Sequence, residues 1–190
     1  MTIEPRRAVV SFPGGLRATF RWAGSGQGAA VFALTEQGGP LVDHGEVSGP
    51  DPDLRCRAEV RVETPTGPWT ARLASTISDE PAGILWDTEG LLVIAYGFHA
   101  YAFEARAGAL RWSHRSASPI VAILGSSRLP HVLLQAEIET FALEADGEVA
   151  WRVAHSDVVA AAELVGGHMV LTSFSGQVRA LDPRTGRGTA

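Results

Sequence analysis

Apolar residues along this chain fall in short runs between turn-forming residues, and many runs alternate with polar positions, the period-2 signature of strands. Leu16, Ala18, Phe20 and Trp22 share one face of an alternating stretch, with Arg17, Thr19 and Arg21 on the other. Arg57 to Val62 alternates in the same way. The unbroken apolar run Leu91–Tyr96 predicts a strand buried on both faces, and Ile120–Leu124 and Val132–Ala136 predict further strands. No helix of ordinary length is expected. Ser156 to Leu164 is rich in Ala, but its place in the pattern favours a strand.

The pattern repeats. Ala102-Phe103-Glu104-Ala105-Arg106-Ala107-Gly108-Ala109-Leu110-Arg111-Trp112 returns as Ala142-Leu143-Glu144-Ala145-Asp146-Gly147-Glu148-Val149-Ala150-Trp151, and again as Ala180-Leu181-Asp182-Pro183-Arg184-Thr185-Gly186. Glycines 108, 147 and 186 are 39 residues apart, and so are Trp112 and Trp151. A fixed period of this size predicts one supersecondary unit stacked on copies of itself, because a single unit cannot bury its own apolar face. The second copy reads as four strands, at Ile120–Leu124, Val132–Ala136, Ile138–Leu143 and Val149–Val153, with Asp146-Gly147 as a hairpin turn. The third reads as Val158–Leu164, Met169–Thr172 and Val178–Leu181. Four short strands joined by tight turns make a propeller blade.

The expected fold is therefore all-β, a β-propeller-like array of four-stranded antiparallel blades. Residues 81–190 hold three clear repeats. Residues 1–80 are a β-rich N-terminal region with two readings. Echoes of the repeat at Val31–Gly38 and Val60–Gly67 allow two degenerate blades, for five in all, and a separate β-subdomain is the alternative. Ala190 stands where the third copy would carry its tryptophan. Either that outer strand is absent or another segment supplies it, with Ala8–Phe12 as the candidate.

The stretch Ala180-Leu181-Asp182-Pro183-Arg184-Thr185-Gly186 resembles the core of the quinoprotein-type (PQQ-like) propeller repeat, which reads Ala-Leu-Asp, two variable residues, Thr-Gly, then Trp. The first two copies match at Ala102-Phe103, Gly108 and Trp112, and at Ala142-Leu143, Gly147 and Trp151; they depart at the threonine, replaced by Ala107 and Asp146. The resemblance spans Pro81 to Ala190. It implies a propeller in which each Trp packs between neighbouring blades, and it does not imply the quinone. The dehydrogenases of the family use a larger ring, a bound calcium and an export signal; its smaller members are scaffolds and binding proteins. Trp86-Asp87 is similar to the WD dipeptide of WD40 blades but sits out of phase with the repeat.

Composition narrows the chemistry. The net charge is −5, so nucleic acid is not an expected partner. All 16 basic residues are arginine, which removes Schiff-base and phosphate-loop lysines. The single Cys56, between Arg55 and Arg57, cannot form an internal disulfide, and a cytoplasmic setting is expected. Its neighbours would favour a reactive thiolate; a buried strand thiol is the plainer reading. Met1–Arg7 precede no apolar core of a signal peptide, and no run suits a membrane helix.

Catalytic, cofactor and metal sites have no visible address. Histidines 44, 99, 114, 131, 155 and 168 lack ligand spacing, and His131 and His168 are placed at second-strand entries by the repeat. Glu137 and Glu139 flank Ile138 as a solvated strand face. Asp51-Pro52-Asp53 and Glu144–Glu148 read as turns rather than calcium loops, and Gly24-Ser25-Gly26-Gln27-Gly28 is incomplete as a phosphate loop or nucleophile elbow. Tyr96, Phe98, His99 and Tyr101 cluster at one turn as a candidate binding site, against the reading that Phe98 and Tyr101 are inter-blade core. The expected function is a non-catalytic scaffold that binds another protein, with no membrane contact. One alternative is a hydrolase or other enzyme whose site converges from Asp87, Glu104, Asp182 and the histidines. The other is a partial propeller that closes its ring through a partner, or an oligomer formed at an unpaired edge strand.

Overall fold

The structure, a computed structural model, describes residues 6–23, 43–45, 56–77 and 79–189. It divides into two compact units. The first is Met1–Pro81 with Glu104–Ala109, and the second is Ala82–Phe103 with Leu110–Ala190. The echo at Val31–Gly38, the Gly24–Gly28 turn and Asp51–Asp53 lie outside the described residues.

In the first unit, β1 (Arg6–Phe12) and β2 (Leu16–Ala23) form a hairpin; β4 (Cys56–Glu63) and β5 (Trp69–Ser75) extend it, and β3 (Asp43–Gly45) adds in parallel to β5. The alternation in β2 and β4 turns Leu16, Ala18, Phe20 and Trp22, and Ala58, Val60 and Val62, into the core. Cys56 is buried with them.

The second unit is three blades. The first runs β6 (Ala82–Trp86), β7 (Leu91–Tyr96), β8 (His99–Glu104) and β9 (Leu110–Arg115). β10 (Ile120–Leu124), β11 (Val132–Ala136), β12 (Glu139–Leu143) and β13 (Val149–Ala154) make the second. The third has only β14 (Val159–Val165), β15 (His168–Ser173) and β16 (Val178–Leu181). The fold class expected from the repeat holds, and Ser156–Leu164 gives a strand. β6 was not anticipated: its short sequence, broken by Gly83, lacks a clean period.

Stacking buries the cores. Leu91, Val93, Ala95, Ala100 and Ala102 pack with Ile120, Val132, Leu134, Phe141 and Leu143 between the first two blades. Leu133 and Ala142 pack with Val159, Met169, Leu171 and Leu181 between the second and third. Apolar area removed from water in this way contributes about 25 cal/mol per Å2.

One contact recurs at the repeat period. Trp69, Trp112 and Trp151 lie against the backbone of Gly108, Gly147 and Gly186, all with positive φ. A Cβ at these glycines would stand 2.6 Å, 2.7 Å and 2.5 Å from the facing indole. The indole N–H of Trp69 donates to the carbonyl of Ala105, and that of Trp112 to the carbonyl of Ala145, at 2.9 Å in both. Trp69, in the first unit together with Gly108, is thus the first member of a series that the sequence pattern showed only from Trp112.

The third blade is not completed by Ala8–Phe12. Those residues lie in β1 and pair with β2 from Arg6–Trp22 to Phe12–Leu16, because the turn at Pro13–Gly15 folds the chain straight back. Beyond β16 the described residues supply only a bridge from Leu181 to Gly188 and a bond from Thr189 N to the Ala180 carbonyl.

Replacing Gly147 by Ala is expected to cost about 2–5 kcal/mol, since left-handed strain adds to the collision with Trp112. Gly176 has φ +85° and nothing within 4 Å of a built Cβ, so Gly176→Ala costs only the strain, about 1–2 kcal/mol. Urea midpoints of the two variants measure the difference.

Candidate functional site

The aromatic cluster is split by burial. Tyr96 and Tyr101 are inside the first blade of the second unit, because the all-apolar β7 and the four central residues of β8 are covered on both faces. His99 stacks on Tyr101, with centroids 5.8 Å apart. Phe98 reaches the turn surface under the Arg115 guanidinium, 5.5 Å from its centroid.

The same end of the second unit carries a ladder of main-chain bonds across the blades. Ser116 N donates to Phe98 O, Ile120 N to Gly97 O, Glu137 N to Pro119 O, His155 N to Ile138 O, Val159 N to Glu137 O, and Phe174 N to Val158 O. The turns that display Phe98, Ile138 and Phe174 are therefore fixed to their neighbours.

Glu139 is not part of a solvated face. It is 8% exposed, because it turns inward to cap the connection between the first two blades. Ser116 Oγ and Ala117 N donate to its Oε1 at 2.9 and 3.0 Å, and Arg152 Nε lies 3.3 Å from Oε2. Ser118 Oγ accepts from Ile138 N beside it. Burial pushes the Glu139 carboxyl up, but the Ala117 N–H, the Ser116 hydroxyl, Arg152 and His114 outweigh it and hold it below its ordinary value. Burial and then Arg152 lower the His114 imidazole against the pull of Glu139. The His114 ring lies 4.8 Å from Phe141, and the Arg152 guanidinium covers the same ring at 5.7 Å. A second network joins Thr140, which donates to Gln135 Oε1 and so accepts from His155 Nε2 at 2.6 Å. Burial, then Arg179, lowers His155. The Ser116 and Thr140 hydroxyls have their protons committed to side chains that hold the blades, so neither is set up as a nucleophile.

The residues pooled for an enzyme are dispersed. Asp87 opens a one-turn 3-10 segment after β6. Glu104 ends β8, and Asp182 caps its own turn by accepting from Arg184 N at 2.8 Å. His131 is buried, with Nε2 3.2 Å from the Arg184 carbonyl and Nδ1 3.5 Å from Glu144 Oε1, while His168 is exposed. Among the described residues no three His, Cys, Asp or Glu side chains gather as metal ligands.

Exposure marks a place the sequence reading missed. Phe174 is 83% exposed, Val178 68% and Val165 51%, and all three belong to the third blade. Phe174 sits in the β15–β16 turn, where Ser175 donates from Oγ to Asp157 Oδ2 at 2.5 Å and from N at 3.3 Å. The Ser175 hydroxyl leads the bonds that hold the Asp157 carboxyl below its ordinary value. Val178 occupies the position of Ala100 and Thr140 in the other blades, where both are fully buried. That alignment is legible in the repeat; the exposure is not.

Residues 99–189 match the family model described as Outer membrane protein assembly factor BamB. This segment is a quinoprotein-type, PQQ-like propeller repeat array, as its motifs implied. Among solved structures the chain is similar to the crystal structure of BamB from Moraxella catarrhalis, with a TM-score of 0.55 and 18% identity, covering 99% of this chain and 49% of that one. It is also similar to a chain of the crystal structure of the Mitotic Checkpoint Complex, with a TM-score of 0.51 and 13% identity, covering 70% of this chain and 48% of that one. The chain spans about half the length of these structures, and at such identities the likeness is one of fold. No curated protein matches it significantly.

A Glu139→Gln variant is expected to lose about 1–3 kcal/mol at pH 7, where the carboxylate holds its buried donors. A carboxyl with a lowered folded pKa stabilises above its ordinary value of about 4.3 and loses that contribution as the pH falls through the folded value. The gap between variant and parent therefore closes on acidification below about pH 4. Denaturant titrations across pH 3–7 check it; a gap independent of pH would show that the carboxylate charge carries none of the contribution.

Proposed function

We propose that the chain is a non-catalytic protein-binding scaffold built on propeller-like repeats. The observation that carries this reading is the concentration of the most exposed large apolar side chains, Phe174, Val178 and Val165, on one blade. Phe174 and Val178 lie at the same end of the blade, in the β15–β16 turn and at the start of β16, and exposed apolar groups gathered in this way mark interaction sites. The turn holding Phe174 is already hydrogen-bonded to Val158 and Asp157, so docking on it orders little that is not ordered before. The family description names an outer membrane protein assembly factor, and components of outer membrane assembly are the first partners to try. The lone cysteine favours a cytoplasmic placement instead; fractionation of the source cells decides between them.

A second reading is favoured by β16. In the first two blades β8 and β12 pair with outer strands β9 and β13 over five positions each, whereas the outer edge of β16 meets only Gly188 and Thr189 among the described residues. With Val178 exposed where Ala100 and Thr140 are covered, this edge and face suit a further blade or strand from a partner chain. The partner is then ring-completing, or a second copy.

Phe174→Asp and Val178→Asp are expected to abolish capture of the partner with little change in stability, because both side chains are exposed. Val9→Asp, in the first unit, leaves capture unchanged. Retention by the first two variants contradicts the assignment of the surface. Light scattering separates the two readings: a mass above 20.1 kDa that Val178→Asp reduces to 20.1 kDa supports self-completion.

A further inference from the structure

A cavity of about 230 Å3 opens in the second unit between the end of β6 and the β10–β11 loop. Ile84, Trp86 and Asp87 line one wall, and Ser126, His131 and Val132 the other. It exists because the loop comes down on β6 at a glycine: a Cβ on Gly125 would meet Ile84 Cδ1 at 2.8 Å. The volume is below the roughly 300–1,000 Å3 of pockets for drug-sized ligands, and suits a single side chain.

The walls carry one aromatic indole and one carboxylate, with the Thr88, Ser126 and Ser127 hydroxyls and the His131 imidazole around them. Trp86, half-buried against the blade core, is the aromatic residue of the lining. Asp87 is exposed beside it, and Glu89 follows in the same 3-10 turn. The buried ring of His131 faces acceptors with both nitrogens, the Arg184 carbonyl and the Glu144 carboxylate. None of the described arginines lines the cavity. The next cavity on the other side of the same loop, about 370 Å3, is lined by Arg128 and Arg184 and lacks an aromatic ring. Of these two cavities the first combines an aromatic ring with an unopposed carboxylate, the pair that receives a planar cation by stacking and by a charge-assisted hydrogen bond.

We infer that this cavity receives a guanidinium group, the side chain of an arginine displayed by a partner polypeptide, with the plane on Trp86 and the N–H groups on Asp87. The site goes beyond the scaffold reading and lies apart from Phe174 and Val178, so the two stand or fall separately: neither Phe174→Asp nor Val178→Asp is expected to change it.

The test is a titration of the protein with N-acetyl-arginine amide, followed by the indole N–H signals of its five tryptophans. One signal, missing in Trp86→Phe, is expected to shift saturably. The uncharged isostere N-acetyl-citrulline amide should bind at least about tenfold more weakly, and Asp87→Asn should weaken the arginine analogue by a similar factor. Because Asp87 is exposed, that variant keeps the test readable if Trp86→Phe disturbs the core. An acetylated Gly-Arg-Gly amide binding more tightly than the single residue supports a polypeptide source; weaker binding overturns that source. Equal binding of arginine and citrulline, indifference to Asp87→Asn, or no shift of the Trp86 signal overturns the site.

Discussion

A tryptophan side chain can press this closely on the main chain only where no Cβ stands beneath it, and the repeat meets this constraint three times. Trp69, Trp112 and Trp151 each cover a glycine whose positive φ also suits the absence of a side chain. The contact sets how closely a tryptophan-bearing strand approaches the next turn. Trp112, Ala95, Val132 and Leu143 belong to one continuous core, so inside the second unit the turn contact and the apolar interface form together. The third member is different in its polar half. The Arg184 carbonyl, in the turn of Gly186, faces His131 Nε2, and the buried Trp151 indole nitrogen has no hydrogen-bond partner among the described residues.

The blades are further held by polar caps that contribute no apolar area. Glu139 gathers Ser116, Ala117 and Arg152 at the connection between two blades, while Thr140, Gln135 and His155 link within the second. Such groups are stabilising only when fully satisfied. Their consequence for function is that the loops at this end are positioned by the blades, and the side chains left outward are apolar anchors on a fixed frame.

Much of the fold was legible because strands obey a short period and the unit repeats. β10, β11 and β16 begin and end where the apolar runs do, and the glycine spacing located the turns. Glu139 was misread because alternation tells which residues share a face, not whether a loop from the preceding blade covers that face. The aromatic candidates show the same limit: Tyr96 and Tyr101 are equally aromatic in sequence, yet stacking buries both. Phe174 carried no motif, and the repeat marked Val178 only as a strand position. Their distinction is that nothing among the described residues covers positions that are covered in the sister blades, a property of assembly rather than of composition.

The claim on which this account rests is that the tryptophan and glycine act as one unit. A double-mutant cycle of Trp112→Leu with Gly147→Ala, read by urea unfolding, tests it most directly. If the methyl group is costly because it strikes the indole, Gly147→Ala loses most of its penalty when the indole is gone, leaving a coupling of at least about 1 kcal/mol. Additive penalties would contradict the account and leave Gly147 as a turn residue unconnected to blade packing.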